Sequence, residues 1–423
     1  MATHFKTIPW ALGASMYEVN IRQYTQEGNF IAFQKNLPRL KNMGIDVLWF
    51  MPITPISMEL RQGTLGSYYA CSSYTSINPE FGTLTDFKNL VNEAQSLGFK
   101  IIIDWVANHT GLDHHWVKEH PEYYIKDALG NFTEKNGWHD VIDLDFSNTN
   151  LRKAMISAMK FWVDECNIDG FRCDMAHLVP LDFWKESRVA CELDKPLFWL
   201  AECEEVPYHD VFDVTYSWQL MHATENVFKE NTDLNEVYNV LHAYTQYPSG
   251  AKKLFFTSNH DENSWNGTEY EKYGNAAKAL AVLTCTWNAM PLIYSGQENP
   301  NHKRLKFFDK DVIEWTSEPK LHSFYKTLLA LNKTNVISNG ETFILPSTNN
   351  KVMVYLRRSE GEVALVLLNL SAENKIKIFV EHQWLEGVFT NIFSGLSFSF
   401  TNKENFELQA FEYLVYYKKQ IFT

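Results

Sequence analysis

Arg172 and Asp174 stand two residues apart at the end of a short apolar run, Ile168-Asp169-Gly170-Phe171-Arg172-Cys173-Asp174. As a β-strand, that run puts Arg172 and Asp174 on one face and Phe171 and Cys173 on the other. A fixed cation beside a carboxylate holds it ionised near neutral pH, and an anionic carboxylate at the top of a strand can act as a nucleophile. Carboxylates follow other apolar runs as well. Asp104 opens Asp104-Trp105-Val106-Ala107-Asn108-His109, Glu202 follows Leu197-Phe198-Trp199-Leu200-Ala201, and Asp261 closes Ser258-Asn259-His260-Asp261. Singly, each suits a helix cap or a turn. Together, with an arginine and two histidines, they suit acid–base and nucleophilic work on a bond whose cleavage builds positive charge. Asp174, paired with Arg172, is expected to keep a low pKa. Glu202, against an apolar wall and a neighbouring anion, is expected to be raised and to serve as general acid. Glu204 would share the face of Glu202, and spacing alone does not choose between them.

A rival chemistry is metal-assisted hydrolysis, with His109, Asp104, His177 and His260 as ligands. Barrel sites of that kind usually carry H-x-H on the first strand, where this chain reads Ser15-Met16-Tyr17-Glu18.

Such side chains need a scaffold that presents strand ends side by side. Strand patterns fall at Ala14–Val19, Val47–Met51, Lys100–Asp104, Gly170–Asp174, Leu197–Ala201, Val211–Thr215, Leu254–Thr257 and Pro291–Tyr294. Helical patterns such as Phe30–Met43, Leu84–Leu97, Asn150–Cys166 and Ala276–Asn288 lie between them. This alternation predicts a (β/α)8 TIM barrel over residues 1–104 and 150–334, whose active site would lie at the C-terminal strand ends. No glycine-rich phosphate loop follows the first strand, which counts against an open nucleotide-binding sheet. The stretch 105–149, rich in His, Trp, Tyr and Asp, is too long for a plain connection and reads as a functional excursion. From 335 to 423 the runs Lys351–Arg357, Val363–Leu370, Lys375–Phe379 and Phe411–Tyr417 predict a C-terminal antiparallel β-sandwich.

The formal charge of −13, with no basic run to offset it, argues against nucleic-acid partners. The 13 Trp and 20 Tyr suit a sugar-binding surface as well as a core. Cys71, Cys166, Cys173, Cys191, Cys203 and Cys285 show no C-x-x-C spacing and read as buried free thiols. No apolar run approaches a membrane span, and the first residues lack a charged region leading into an apolar one. The expectation is a cytoplasmic protein, unless a leader was removed ahead of residue 1. The oligomeric state is not legible.

In their order along the chain these motifs resemble the α-amylase family of glycoside hydrolases and transglycosidases. Asp104-Trp105-Val106-Ala107-Asn108-His109, Gly170-Phe171-Arg172-Cys173-Asp174, Glu202 and Asn259-His260-Asp261 are similar to its four main signatures. Gly44–Pro52, Ser73–Thr83 and Met290–Glu298 are similar to its second-strand, following and eighth-strand segments. The resemblance implies Asp174 as nucleophile, Glu202 as general acid/base and Asp261 as the third carboxylate. It implies that Arg172, His109, His260 and His177 contact sugar, that Tyr69 (alternatively Tyr68) stacks beneath it, and that Asp104 supports Arg172. Retention of configuration through a covalent glucosyl-enzyme would follow, with nucleophile and acid about 5–5.5 Å apart. The stretch 105–149 would be a short domain B. No cofactor is needed for the chemistry. Asn108 and Asp143, the latter in Val141-Ile142-Asp143-Leu144-Asp145, are the candidates for a structural calcium ion.

The sequence departs from the family pattern just after the nucleophile. The common D-A-x-K-H reads Asp174-Met175-Ala176-His177-Leu178, which alters the acceptor side and the calcium site. Gly66-Ser67-Tyr68-Tyr69-Ala70 replaces the usual G-Y-D with a form like S-P-Y-A. Trp138, Trp218 and Trp265 are further candidates to line the cleft. The implied activity is hydrolysis of α-1,4 bonds in maltooligosaccharides or starch fragments. The alternative is transglycosylation, as by a 4-α-glucanotransferase or a trehalose synthase. A non-catalytic barrel would be expected to lose carboxylates that stand here.

Overall fold

The computed structural model describes residues 8–230, 232–248 and 250–419; the first seven residues, on which part of the N-terminal reading rests, lie outside them. Eight short strands are buried along nearly their whole length and therefore read as apolar runs rather than alternating ones. They are β1 (Met16–Val19), β2 (Val47–Phe50), β3 (Lys100–Trp105), β6 (Gly170–Cys173), β7 (Phe198–Ala201), β8 (Val214–Tyr216), β9 (Lys252–Phe255) and β10 (Met290–Tyr294). All neighbours pair in parallel, and the sheet closes β1-β2-β3-β6-β7-β8-β9-β10 and back to β1. Inside the barrel Met16, Trp49, Ile102, Phe198, Leu200 and Leu254 fill one core. Outward side chains, among them Phe171, Cys173 and Trp199, pack against the helices.

Gly170 is dictated by contact. A Cβ there would lie 2.0 Å from the Phe198 carbonyl oxygen, so only glycine lets β6 approach β7 this closely.

Local differences from the sequence patterns have local causes. The helix expected over Phe30–Met43 is two helices, Phe30–Gln34 and Leu37–Met43, because Pro38 can occupy only the first turn of the second. The sixth barrel strand begins at Val214 rather than Val211, since the Val211 and Phe212 N–H groups both donate back to the Tyr208 carbonyl. Segment 105–149 carries the antiparallel pair β4 (His109–Gly111) and β5 (Val141–Asp143), with His109 opposite Asp143.

Beyond the barrel, β11 (Glu341–Ile344), β12 (Val352–Ser359), β13 (Glu362–Asn369), β15 (Gly387–Asn391), β16 (Ser397–Phe400) and β18 (Tyr413–Lys419) form an antiparallel sheet, ordered β11-β12-β13-β18-β15-β16. The pair β14 (Ile376–Glu381) and β17 (Lys403–Leu408) covers it, burying Ile378, Val380 and Phe406 against Val354, Leu365 and Phe389. All six cysteines are buried and free, and among the described residues no helix is long and apolar enough to cross a membrane.

Candidate active site

The C-terminal ends of β3, β6, β7 and β9 converge on a cavity of about 460 Å³ lined by Tyr69, His109, Trp138, Asp174, Glu202 and Asp261, with His260 behind them. Arg172 organises its floor. It is wholly buried, with its guanidinium carbon 5.0 Å from the centre of the Trp49 ring. Its Nη1 donates to Asp174 Oδ1 at 2.7 Å and to Asp104 Oδ1 at 3.0 Å, and its Nε to Tyr216 Oη at 3.2 Å. Its Nη2 lies 2.9 Å from Glu202 Oε2, an ion-pair contact without a hydrogen bond's alignment.

One guanidinium thus faces three carboxylates, which changes the electrostatics expected from the sequence. Asp174 does not keep a low pKa: burial raises it, and the charge and hydrogen bond of Arg172 offset that only in part. Glu202 is likewise raised by burial, with Arg172 opposing and the Asp174 charge adding. The balance between them is unequal. Asp174 is stabilised as an anion by the aligned Arg172 hydrogen bond and by the Glu202 carboxyl, whereas Glu202 is pushed toward its neutral form by Asp174. The direct Arg172 hydrogen bond therefore favours the charged form at Asp174 more than at Glu202. Asp104 is pushed up to about 7, first by burial and then by Asp174.

Backbone geometry serves the same pair. Met175 sits in the left-handed region at φ 41°, strained for a side chain of its size, and its N–H donates to Glu202 Oε2 at 2.9 Å. Glu204 is separated from this group. Its carboxylate accepts from Tyr244 Oη at 2.7 Å and from the Gln219 N–H at 2.9 Å.

Asp261 lies at the start of a single π-helical turn, Glu262–Asn266, a distortion often found at functional sites. Its Oδ2 is 3.3 Å from His260 Nε2. The Tyr69 ring stacks on His260 at 5.4 Å and 17°, and its hydroxyl reaches both His260 Nε2 (2.7 Å) and Asp104 Oδ2 (3.1 Å). Tyr68 points elsewhere, its hydroxyl donating to Asn20. His109 is buried against Trp138, and burial pushes its pKa down to about 4, which leaves the ring neutral.

His177 is exposed and lines a second cavity of about 540 Å³ with Glu204 and Trp218; this cavity shares Met175 and Glu202 with the first. Asp143 is buried, and among the described residues neither carboxylate oxygen makes an aligned hydrogen bond, although the Lys135 N–H favours its charge; such a carboxylate suits a hard cation. Asn108 precedes His109, the residue opposite Asp143 in the β4–β5 pair. Among the described residues no three His, Cys, Asp or Glu side chains cluster to hold a metal.

Phe307, Phe308, Met175 and Glu18 were not legible as site residues. Phe307 stacks parallel to Tyr69 at 6.2 Å and meets Trp265 at 5.3 Å, extending the aromatic wall out of the cavity. The signal was two adjacent phenylalanines in the polar stretch Lys306-Phe307-Phe308-Asp309.

Known proteins resemble this chain over most of its length. The family profile described as "Alpha amylase, catalytic domain" matches residues 22–317, and that of the "Maltogenic Amylase, C-terminal domain" matches 342–415. The crystal structure of a maltogenic α-amylase from Thermotoga neapolitana superposes with a TM-score of 0.89 and 31% identity, covering 97% of this chain and 99% of that one. An α-amylase of Haloarcula japonica is 25% identical over 391 residues, 86% of this chain and 56% of its own length. A trehalose synthase of Thermus thermophilus is also 25% identical, over 86% of this chain and 50% of its own length.

Proposed function

The chain belongs to the α-amylase family, and we propose that within it the protein is a retaining α-glucan hydrolase that cleaves α-1,4 bonds of maltooligosaccharides or starch fragments. One observation carries the reading: Arg172 holds Asp174 at 2.7 Å and meets Glu202 at 2.9 Å, inside a cleft walled by aromatic rings. In this reading Asp174 Oδ attacks the anomeric carbon while Glu202 passes its proton to the departing glycosidic oxygen. Glu202, now a carboxylate, takes a proton from water, and the resulting hydroxide displaces Asp174 from the same carbon. Asp261 and His260 hold the hydroxyls of the reacting glucosyl unit, His109 donates from the opposite wall, and Arg172 keeps Asp174 in place, supported by Asp104. Tyr69, Phe307 and Trp265 offer successive ring faces to sugar C–H surfaces. A structural calcium ion, if the protein carries one, would be held by Asp143 and Asn108 and would fasten the β4–β5 pair; no chemical step needs it.

A second reading has specific support. The 540 Å³ cavity beside Glu202 has room for a sugar acceptor bordered by His177 and Trp218, so the glucosyl-enzyme could be captured by a hydroxyl other than water's. The similarity to a trehalose synthase points the same way. Incubation with maltotetraose separates the two. The hydrolase releases shorter oligosaccharides with one new reducing end per cleavage, first as the α-anomer by NMR. Longer oligosaccharides with no net gain of reducing ends would overturn it.

A further inference from the structure

Glu18 lies on β1 with no exposed surface. A carboxylate in such a place needs a strong partner, because burial penalises its charge. Its partner is His260: Oε1 and the ring Nδ1 form a short ion-pair hydrogen bond, while Oε2 has no hydrogen-bond partner among the described residues. The groups around the second ring nitrogen bear on the state of the ring. Tyr69 Oη and Trp49 Nε1 both reach Asp104 Oδ2 at 3.1 Å. His260 Nε2 lies 2.7 Å from Tyr69 Oη and 3.3 Å from Asp261 Oδ2, so a carboxylate faces this nitrogen too and favours a proton on it. Glu18 accepts from Nδ1. With a carboxylate facing each ring nitrogen, both are placed to donate, as an imidazolium's do.

We propose that Glu18 is a positioning residue for the reaction: from behind the site it fixes His260 as a doubly protonated cation, which keeps Asp261 ionised and holds Tyr69 against Asp104. This role rests on the substrate-binding assignments of Asp261 and Tyr69 made above. Glu18 does not line the substrate cavity. It acts through His260 alone.

Other buried and half-buried histidines show what happens without such a partner. Burial pushes His109, His114 and His209 down to about 4, 3 and 3. His260 is buried as well, yet it rises to about 9 because Asp261 and Glu18 outweigh burial and the opposing charge of Arg172. Burial raises Glu18, while His260 and Arg172 lower it and Asp261 raises it further. Tyr216 and Tyr294 also face Glu18, and Asp104 and Glu202 lie within the field of the His260 charge.

Glu18→Gln tests the role, because the amide oxygen can still accept from Nδ1 while the charge is gone. In protein labelled with 15N-histidine, with His260 assigned by its loss in His260→Gln, the wild-type ring should show both nitrogens protonated at pH 7.5. In Glu18→Gln its titration midpoint should fall by about two pH units. The alkaline limb of kcat/KM on maltotetraose should move down with it, with activity lost about tenfold per pH unit above the new midpoint. Near-UV circular dichroism should be unchanged. A neutral His260 ring in the wild type at pH 7.5 overturns the proposal, as does a Glu18→Gln ring that titrates where the wild type does. If Glu18→Gln does not fold, the wild-type titration decides alone. The ring's protonation is read without turnover, so this result stands apart from the fate of the glycosidase reading.

Discussion

Glu202 and Glu204 both follow β7, and exchanging each for glutamine should give opposite patterns of activity and stability. In Glu202→Gln the amide oxygen can keep the Met175 N–H, 2.9 Å from Oε2 in the wild type, and the amide nitrogen takes the place of Oε1. In the proposed mechanism Glu202 rests protonated, so the neutral amide imitates the resting acid, and stability should change by no more than about 1 kcal/mol. Turnover should suffer heavily. Loss of a general acid slows such steps roughly 10²- to 10⁴-fold, about 3–5 kcal/mol of barrier. That full loss applies to maltotetraose, whose leaving hydroxyl needs the proton. With 2,4-dinitrophenyl α-glucoside the leaving group departs unaided, and kcat/KM should fall less than about tenfold. In Glu204→Gln both hydrogen bonds can persist, the amide oxygen accepting from the Gln219 N–H and the amide nitrogen donating to Tyr244 Oη, but both lose the carboxylate's charge, which should cost about 1–2 kcal/mol of stability. Activity on both substrates should stay within about threefold of wild type. Steady-state kinetics on the two substrates and urea unfolding of both variants provide the test. Equal losses of Glu202→Gln on both substrates, or a larger loss from Glu204→Gln, would refute the assignment of Glu202 as the acid.

Asp174→Asn should retain its hydrogen bond from Arg172 and its fold, while turnover drops at least about 10⁴-fold in long incubations; near-normal activity would remove Asp174 from the nucleophile's role. Glu269 makes a stability prediction. Its carboxyl is buried and raised from 4.5 to about 7, so between those values the folded chain holds a proton that the unfolded chain has released. Its contribution to stability is present at low pH and lost as pH rises through 7, by about 3 kcal/mol in all. Glu269→Gln can keep its contacts with Gln297 and Thr257 without that dependence. Its advantage in Tm over the wild type should therefore grow from pH 4.5 to pH 8, and a difference constant with pH would contradict the assignment.

The barrel was legible because its strands are apolar runs ended by charged residues, and period-two alternation correctly put Arg172 inside and Phe171 outside. The strands β11, β15, β16 and β17 escaped because each is short and mixes polar with apolar residues, as in Lys403-Glu404-Asn405. Glu18 carried no signal of its own. It precedes His260 by 242 residues and meets it only once β10 closes the barrel between β1 and β9. The pKa of Asp174 was misjudged for a related reason. Pairing with Arg172 was visible in the spacing, but the burial that outweighs it exists only once the neighbouring strands close around the end of β6.

The alternation at Gly170–Asp174 also bears on how such a protein can diverge. Phe171 and Cys173 are locked into the helix layer and Gly170 against the β7 backbone, so sliding β6 by a single residue would turn Arg172 outward and bring Phe171 in. The strand ends can therefore change only by substitution in place, and every such substitution disturbs a group that shares one arginine. The surfaces free to drift are segment 105–149, which brings Trp138, and the stretch after β10, which brings Phe307 and Phe308. Lineages from a common ancestor would then keep one reaction centre almost unaltered, while their preferences for chain length and acceptor spread through lengthened, shortened or re-armed loops.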